Sequence, residues 1–380
     1  MDHAIARQAY ASGRDAAAVA RALADRLVAP DLRLAFVFAD RRLDPAVMAA
    51  LQDALPGPVV GCSTRGPICG GRYQPDRGEP TAAALGLYGD WLRAGVGVAP
   101  ELSRAALVRS HDAVHAAAAA LGTAAPALDP GRHVAVTLLD GRSGHEEAFC
   151  IGSAAAAPKI RFVGGAGSCE PERDGPPAVW AHGEARTDAG VVIVLDSDLP
   201  FRAVSSAHLV ATEQRTVVTA GAGRVIDELD GRPAAARLRQ LVAQLGETLD
   251  EPVPAHSLAR YIDGVPYVRS IERIAGPRVI LASAVEVGHV LRVMRPGQLV
   301  DTTRRDLEAA ADQVGGAVAA LLAFSCAGRH AEAEVRGNAG ELAAVYGAYP
   351  TVGLQTFGEQ AGMLLVNHTL TGLAIGARRS

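Results

Sequence analysis

The segment Val287-Gly288-His289-Val290-Leu291-Arg292-Val293-Met294-Arg295 places an imidazole, alternating apolar side chains and guanidinium groups in one short run. In an extended strand, side chains alternate between faces with period two, so His289, Leu291, Val293 and Arg295 share one face. That face is an apolar platform with a metal-ligating nitrogen at one end and an anion-binding cation at the other. The plain alternative is a histidine at a strand edge. His368, between Asn367 and Thr369, is a second candidate. Arg329 and Glu359 follow two strands of one segment, where they form either an ion pair or, through Arg329, an anion clamp. Cys326 ends an apolar run, where a small buried thiol is the usual occupant. His145 with Glu146 and Glu147 lacks the HExxH spacing of a zinc site and reads as a solvated helix start. A hydrolase would need Cys62 or Ser168 beside a histidine, and neither sits in a nucleophile-elbow context.

These side chains must be positioned by a repeated unit. Leu34–Asp40 leads through a helical stretch to Pro58-Val59-Val60-Gly61, Val134–Asp140 leads to Phe162-Val163-Gly164, and Leu321–Gly328 leads to Val352-Gly353. From Asp40 to Gly61 is 61 − 40 = 21 residues, from Asp140 to Gly164 is 24, and from Gly328 to Gly353 is 25. Each interval holds one crossover helix, so each unit is a βαβ pair with parallel strands, followed by a third strand read as a hairpin partner. Gly61, Gly164 and Gly353 then serve as turn glycines or aim backbone amides at a ligand, with Ser63, Ser168 and Thr356 as side-chain donors.

Between these units, Thr81–Tyr88 and Leu92–Val98 read as paired strands and Ala105–Leu121 as a helix. Ala234–Leu249 is a second helix, ended by Pro252 and Pro254. Tyr267–Ile274, Val279–Val285 and His289–Met294 form an antiparallel meander. Thr303 with Asp306 resembles a capping box. The fold class is α/β with mixed sheets, in two parts, residues 1–210 and 211–380.

The chain of 380 residues is 49% hydrophobic, enough for a large core. Its formal charge of −4 has no basic cluster interleaved with aromatics, which speaks against nucleic acid and anionic membranes. Lys159 is the only lysine, which removes P-loop and Schiff-base chemistry. Neither a secretory signal nor an apolar run of membrane-spanning length is present, so the cytoplasm is the expected compartment. Five cysteines without a CxxC pair suggest reduced, buried thiols.

Taken together, several stretches resemble the FIST family of bacterial sensory proteins. They are Val163-Gly164-Gly165, Val217-Val218-Thr219, Glu228-Leu229-Asp230-Gly231-Arg232-Pro233-Ala234, Leu322-Ala323-Phe324-Ser325-Cys326-Ala327-Gly328-Arg329, Phe357-Gly358-Glu359 and Asn367-His368-Thr369. Gly66-Pro67 stands where the later copies have Gly183-Glu184 and Gly358-Glu359. The resemblance implies a signal-transduction sensor acting on a separate histidine kinase, diguanylate cyclase or phosphodiesterase, with a homodimer as one assembly. It further implies, for the nitric-oxide-sensing subgroup, bound heme b. On that reading His289 ligates iron, with His368 as the substitute ligand, and Arg295, Arg292 and Arg329 face the propionates. The alternatives are a sensor of amino-acid-like metabolites without heme and a Cys/Ser hydrolase.

Overall fold

The structure is a computed structural model that describes residues 4–73, 78–169, 175–249, 255–262 and 264–378. Pro252 and Pro254 lie outside them. The first unit comprises β1 (Ala6–Ser12), α1 (Ala16–Leu27), β2 (Leu32–Asp40), α2 (Ala46–Ala54), β3 (Val59–Thr64), β4 (Pro67–Cys69) and β5 (Thr81–Tyr88). The second comprises β6 (Leu92–Ala99), α3 (Leu102–Ala120), β7 (His133–Asp140), α4 (Glu146–Ala156), β8 (Arg161–Gly167), β9 (Val179–Ala181), β10 (Glu184–Arg186) and β11 (Gly190–Ser197). The third opens with β12 (Phe201–Ser206) and is interrupted by an insert. The insert runs through β13 (Val210–Ala222), β14 (Val225–Leu229), β15 (Arg232–Pro233), α5 (Ala234–Ala243), β16 (Ser257–Ile262), β17 (Val265–Ala275), β18 (Arg278–Leu281) and β19 (Val290–Arg295). The third unit resumes with α6 (Leu299–Gln313), β20 (Val318–Cys326), α7 (Ala327–Val335), α8 (Ala339–Gly347), β21 (Thr351–Thr356), β22 (Glu359–Ala361), β23 (Leu364–Val366) and β24 (Leu370–Gly376).

The three expected βαβ pairs are present: β2 is parallel to β3, β7 to β8 and β20 to β21. The third strand of each unit does not pair with the second, as a hairpin would. It crosses over and lies antiparallel to the first, β5 on β2, β11 on β7 and β24 on β20. The intervening short strands leave their own unit instead. β9 extends β3, β22 extends β8 and β4 extends β21, so each unit completes the sheet of another and the exchange closes in a ring. This cyclic exchange covers strand edges that would otherwise expose unpaired backbone groups.

Alternate residues of the strands then serve two cores. Phe36, Phe38, Val134, Val136, Leu322 and Phe324 point inward to a central cluster shared by all three units. Val37, Ala135 and Ala323 point outward beneath the covering helices. The period-two pattern of each apolar strand, buried on both faces, is satisfied by this arrangement. The strands Thr81–Tyr88 and Leu92–Ala99 are not paired: β5 stands in one sheet and β6, on β11, in the next. Thr303 lies inside α6 and donates to the carbonyl of Leu299 (2.6 Å), so it is no cap.

The insert folds as a seven-stranded antiparallel sheet covered by α5. It is fastened to the second unit by Arg142–Glu272 (2.9 Å), Arg224–Glu146 (2.9 Å) and Arg269–Glu147 (2.7 Å). Arg142 and Arg224 both stack on Phe357. His145-Glu146-Glu147 is thus a docking point rather than a solvated face, with Glu146 buried.

Candidate functional site

Where the insert meets the third unit, four distant segments converge on one carboxylate. Helix α7 starts directly after β20, and Arg329, Glu332 and Arg336, spaced three and four apart, line one side of it. His208 comes from the link between β12 and β13, Ser270 from β17, and His368 from the turn between β23 and β24. His368 has left-handed backbone, φ 58°, a costly conformation for a non-glycine residue that packing must hold in place. Its ring lies over Gly328, where an added Cβ would stand 3.1 Å from Nδ1.

Glu332 Oε2 accepts from His208 Nε2 and His368 Nε2, each at 2.8 Å. Arg329, fully buried, donates to Thr303 Oγ1 (2.6 Å) and to His208 Nδ1 (3.4 Å). A guanidinium has no acceptor, so His208 must accept at Nδ1 and carry its proton on Nε2, toward Glu332. Burial alone would raise the Glu332 carboxyl, but the hydrogen bonds from the two histidines outweigh it and hold the group well below its ordinary range. The three side chains bring their ligand atoms within 4.8 Å of one another, a spacing that also suits a metal ion. The tautomer imposed by Arg329 opposes that use, because a ligating Nε2 would turn an Nδ1–H against a buried cation.

Beside the cluster lies a cavity of about 170 Å³ lined by Ser270, Glu332, Arg336 and His368 among others. Arg336 Nε lies 3.2 Å from Glu332 Oε1, and its Nη1 donates to the carbonyl of Gly297 (2.8 Å). Ser270 Oγ is 3.2 Å from His368 Nδ1.

The structure brings Arg329 and His368 together and leaves His289, Arg292 and Arg295 elsewhere. His289 precedes β19 rather than belonging to it; its Nδ1 accepts from the Glu286 amide (3.2 Å) and its Nε2 lies 3.7 Å from the Glu286 carboxylate. Leu291 and Val293, expected as an open platform, are fully buried in the core that α5 shares with this sheet. Arg295 is exposed near Glu247 (3.5 Å), while Arg292 stacks on Tyr261 (4.6 Å) in a separate cleft with Arg215 and Val290. A porphyrin needs an apolar slot beside its ligand. These residues do not fit one, because the apolar face beside His289 is already packed. At His368 both ring nitrogens are engaged, and a 170 Å³ cavity is below the usual range for a cofactor-sized site.

Arg329 and Glu359 are not an ion pair. Glu359 instead accepts from Thr356 Oγ1 and from Thr369 Oγ1 (2.7 Å). Of the two hydrolase candidates, Cys62 is fully buried with its thiol pushed far up by desolvation, and Ser168 Oγ donates to the carbonyl of Gln355. His208, Glu332, Ser270 and Arg336 escaped sequence reasoning; only Glu332, three residues after Arg329, carried a local signal.

Two buried groups give stability opposite dependences on pH. Burial first, and the Arg329 charge, drive His208 down to about 4, although its bond to Glu332 opposes this. An unfolded imidazole titrates near 6.5, so this contribution is complete above about pH 6.5 and is lost as pH falls toward 4, by up to roughly 3 kcal/mol. Glu359 is raised by burial from 4.5 to about 7 despite its hydrogen bonds. Its contribution is complete below pH 4.5 and is lost as pH rises through 7. Urea melts should therefore show Glu359→Gln more stable than the parent at pH 8, with the difference shrinking as pH is lowered to below 4.5. A variant no more stable at pH 8 would contradict the assignment.

The fold and this junction define a mixed α/β protein in which a ring of three units holds an inserted sheet against a buried charge cluster. The FIST N domain matches residues 33–232 and the FIST C domain residues 234–362, so the chain belongs to the FIST family, whose domains are signal-transduction sensor domains. The division between those domains falls 232 − 210 = 22 residues after the end of the first part read from the sequence. No curated protein matches the sequence. Two solved cyanuric acid hydrolases, one of them from A. caulinodans, overlay with TM-scores of 0.36, at 11% and 14% identity, over 98% of this chain and 99% of theirs. An overlay that loose carries no argument about activity. Among the described residues, no helix is long and apolar enough to cross a membrane.

Proposed function

We propose that this protein is a cytoplasmic sensor of a small zwitterionic metabolite of the amino-acid class, which binds in the cavity beside Glu332 and acts on a separate signalling enzyme such as a histidine kinase. The observation that carries this reading is the composition of the cavity wall. Ala255, Ser270 and Ile271 belong to the insert side, whereas Gly328, Glu332, Arg336 and His368 belong to the third unit. A ligand touching both sides favours one relative placement of insert and ring, which is the differential contact that a switch requires. Glu332 offers an anion and Arg336 a cation at one small cavity, complementary to an ammonium and a carboxylate. Heme b and nitric oxide are the weaker alternative, since the apolar face beside His289 is packed.

Thermal unfolding with a panel of amino acids tests this. A ligand at one hundred times its Kd should stabilise by about 2.7 kcal/mol, and Arg336→Ala should abolish the shift. No shift with any amino acid, together with saturable hemin binding whose Soret band changes on His289→Ala, would overturn it in favour of the heme sensor.

A further inference from the structure

Ser270, His368 and Glu332 stand in a nucleophile, base and carboxylate relation at the cavity. Ser270 Oγ lies 3.2 Å from His368 Nδ1, and His368 Nε2 lies 2.8 Å from Glu332 Oε2. All three line the same opening. Such a chain, with the base oriented by a third group, is the diagnostic geometry of an activated hydroxyl. The imidazole is turned relative to the familiar arrangement, with Nδ1 toward the serine and Nε2 toward the acid, but either nitrogen can take the proton. We infer that Ser270 is a nucleophile for acyl transfer from small esters, with His368 as its general base and Glu332 as the positioning carboxylate.

Three further features support this. Arg329 fixes the His208 tautomer and so aims a second N–H at Glu332, which keeps that carboxylate turned toward His368. The left-handed backbone of His368 is strain at the base itself, and Gly328 leaves room for the ring. Ser257, paired with Ser270 across the strands, shares its face, and its buried hydroxyl has no partner among the described residues. An unengaged hydroxyl on the face of the nucleophile is the type of donor a developing oxyanion needs, though Ser257 does not itself line the cavity.

In the step itself, the Ser270 Oγ–carbon bond forms while the bond from the acyl carbon to the leaving oxygen breaks. The serine proton passes to His368 Nδ1 and from there to the leaving alkoxide, giving an alcohol. Water then attacks the acyl-serine by the same route, releases the acid and restores Ser270. The cavity of about 170 Å³ limits the acyl group to a short chain or a single amino acid.

This inference shares the cavity with the sensor reading but fails separately from it. The full chain is treated with a fluorophosphonate probe and with p-nitrophenyl acetate. The expected result is a covalent adduct mapped to Ser270 and hydrolysis reduced about 10² to 10⁴-fold by Ser270→Ala and by His368→Gln. Glu332→Gln should lower kcat while leaving KM near the parent value, which a loss of folded protein alone would not do. Each variant is first matched to the parent in near-ultraviolet circular dichroism. No adduct and no turnover by the parent, or equal labelling of Ser270→Ala, overturns the inference. An amino-acid melting shift retained in Ser270→Ala would leave the sensor reading intact.

Discussion

Replacing Glu332 by alanine is expected to destabilise the protein by about 3 to 5 kcal/mol, the range for removing one partner of a buried ionic network. Glu332 is 4% exposed, and its carboxylate is the shared acceptor for His208 and His368. Without it, two buried N–H groups lose their partner. Arg329, fully buried, donates to His208, whose ring the carboxylate would no longer hold. Glu332→Gln should cost less, because its amide oxygen still accepts one imidazole proton while its NH₂ opposes the other. Denaturant midpoints at pH 7.5 check both. A domain of ordinary stability has only about 5 to 15 kcal/mol to lose, so the alanine variant should be partly unfolded near 37 °C. A loss below about 1 kcal/mol for alanine would mean that the cluster does not hold the seam together.

The three units were legible because each first strand is a continuous apolar run and each crossover has the length of one helix. The pairing partners were not. A strand's hydrophobic pattern states that both faces are buried, not which neighbour covers its edge. Hence β5 and β6 read as paired strands, although they belong to different sheets, and the cyclic exchange of β4, β9 and β22 left no local trace. At β13, which starts at Val210, the chain leaves the ring for the insert. The family division near residue 233 falls inside that insert. That family division is not a spatial boundary between halves, because the chain returns to the ring at α6 and its last strands pair with β8 and β12.

The site was less legible for a related reason. His208, Ser270, Glu332 and His368 come from four segments, and the bonds joining them to Glu332 and His368 span up to 124 residues. No spacing rule links such positions. His289 stood out because its neighbours alternate cleanly, but the same alternation is what buries Leu291 and Val293 beneath α5. A good period-two face is more often core than platform, and this one is core.

Alanine at Gly61, Gly164 or Gly353 is expected to be more damaging than a surface change of the same size, with losses above about 4 kcal/mol or failure to accumulate soluble protein. Each glycine is not at a turn, as its position after an apolar run suggests, but inside the second strand of its unit. Each pairs in register with the first strand: Gly61 with Val37, Gly164 with Thr137 and Gly353 with Ala323. A Cβ there would lie 1.7, 2.0 and 1.9 Å from the carbonyl oxygen of that partner. The obstacle is backbone in a fully hydrogen-bonded strand, so no rotamer change relieves it, and overpacking costs of 1 to 3 kcal/mol are a lower bound. At Gly61 the Trp180 indole nitrogen, which donates to the same carbonyl, adds a second clash at 2.1 Å. Gly340, in α8 with open space around it, is the control; there alanine should stabilise by about 0.5 to 1 kcal/mol. Thermal melts of the four variants compare the two environments directly. Equivalent losses at the three strand positions and a gain at Gly340 would show that one steric rule is used three times around the ring. A well-folded Gly353→Ala would show that its two strands can separate, and the ring would lose its claim to be rigid.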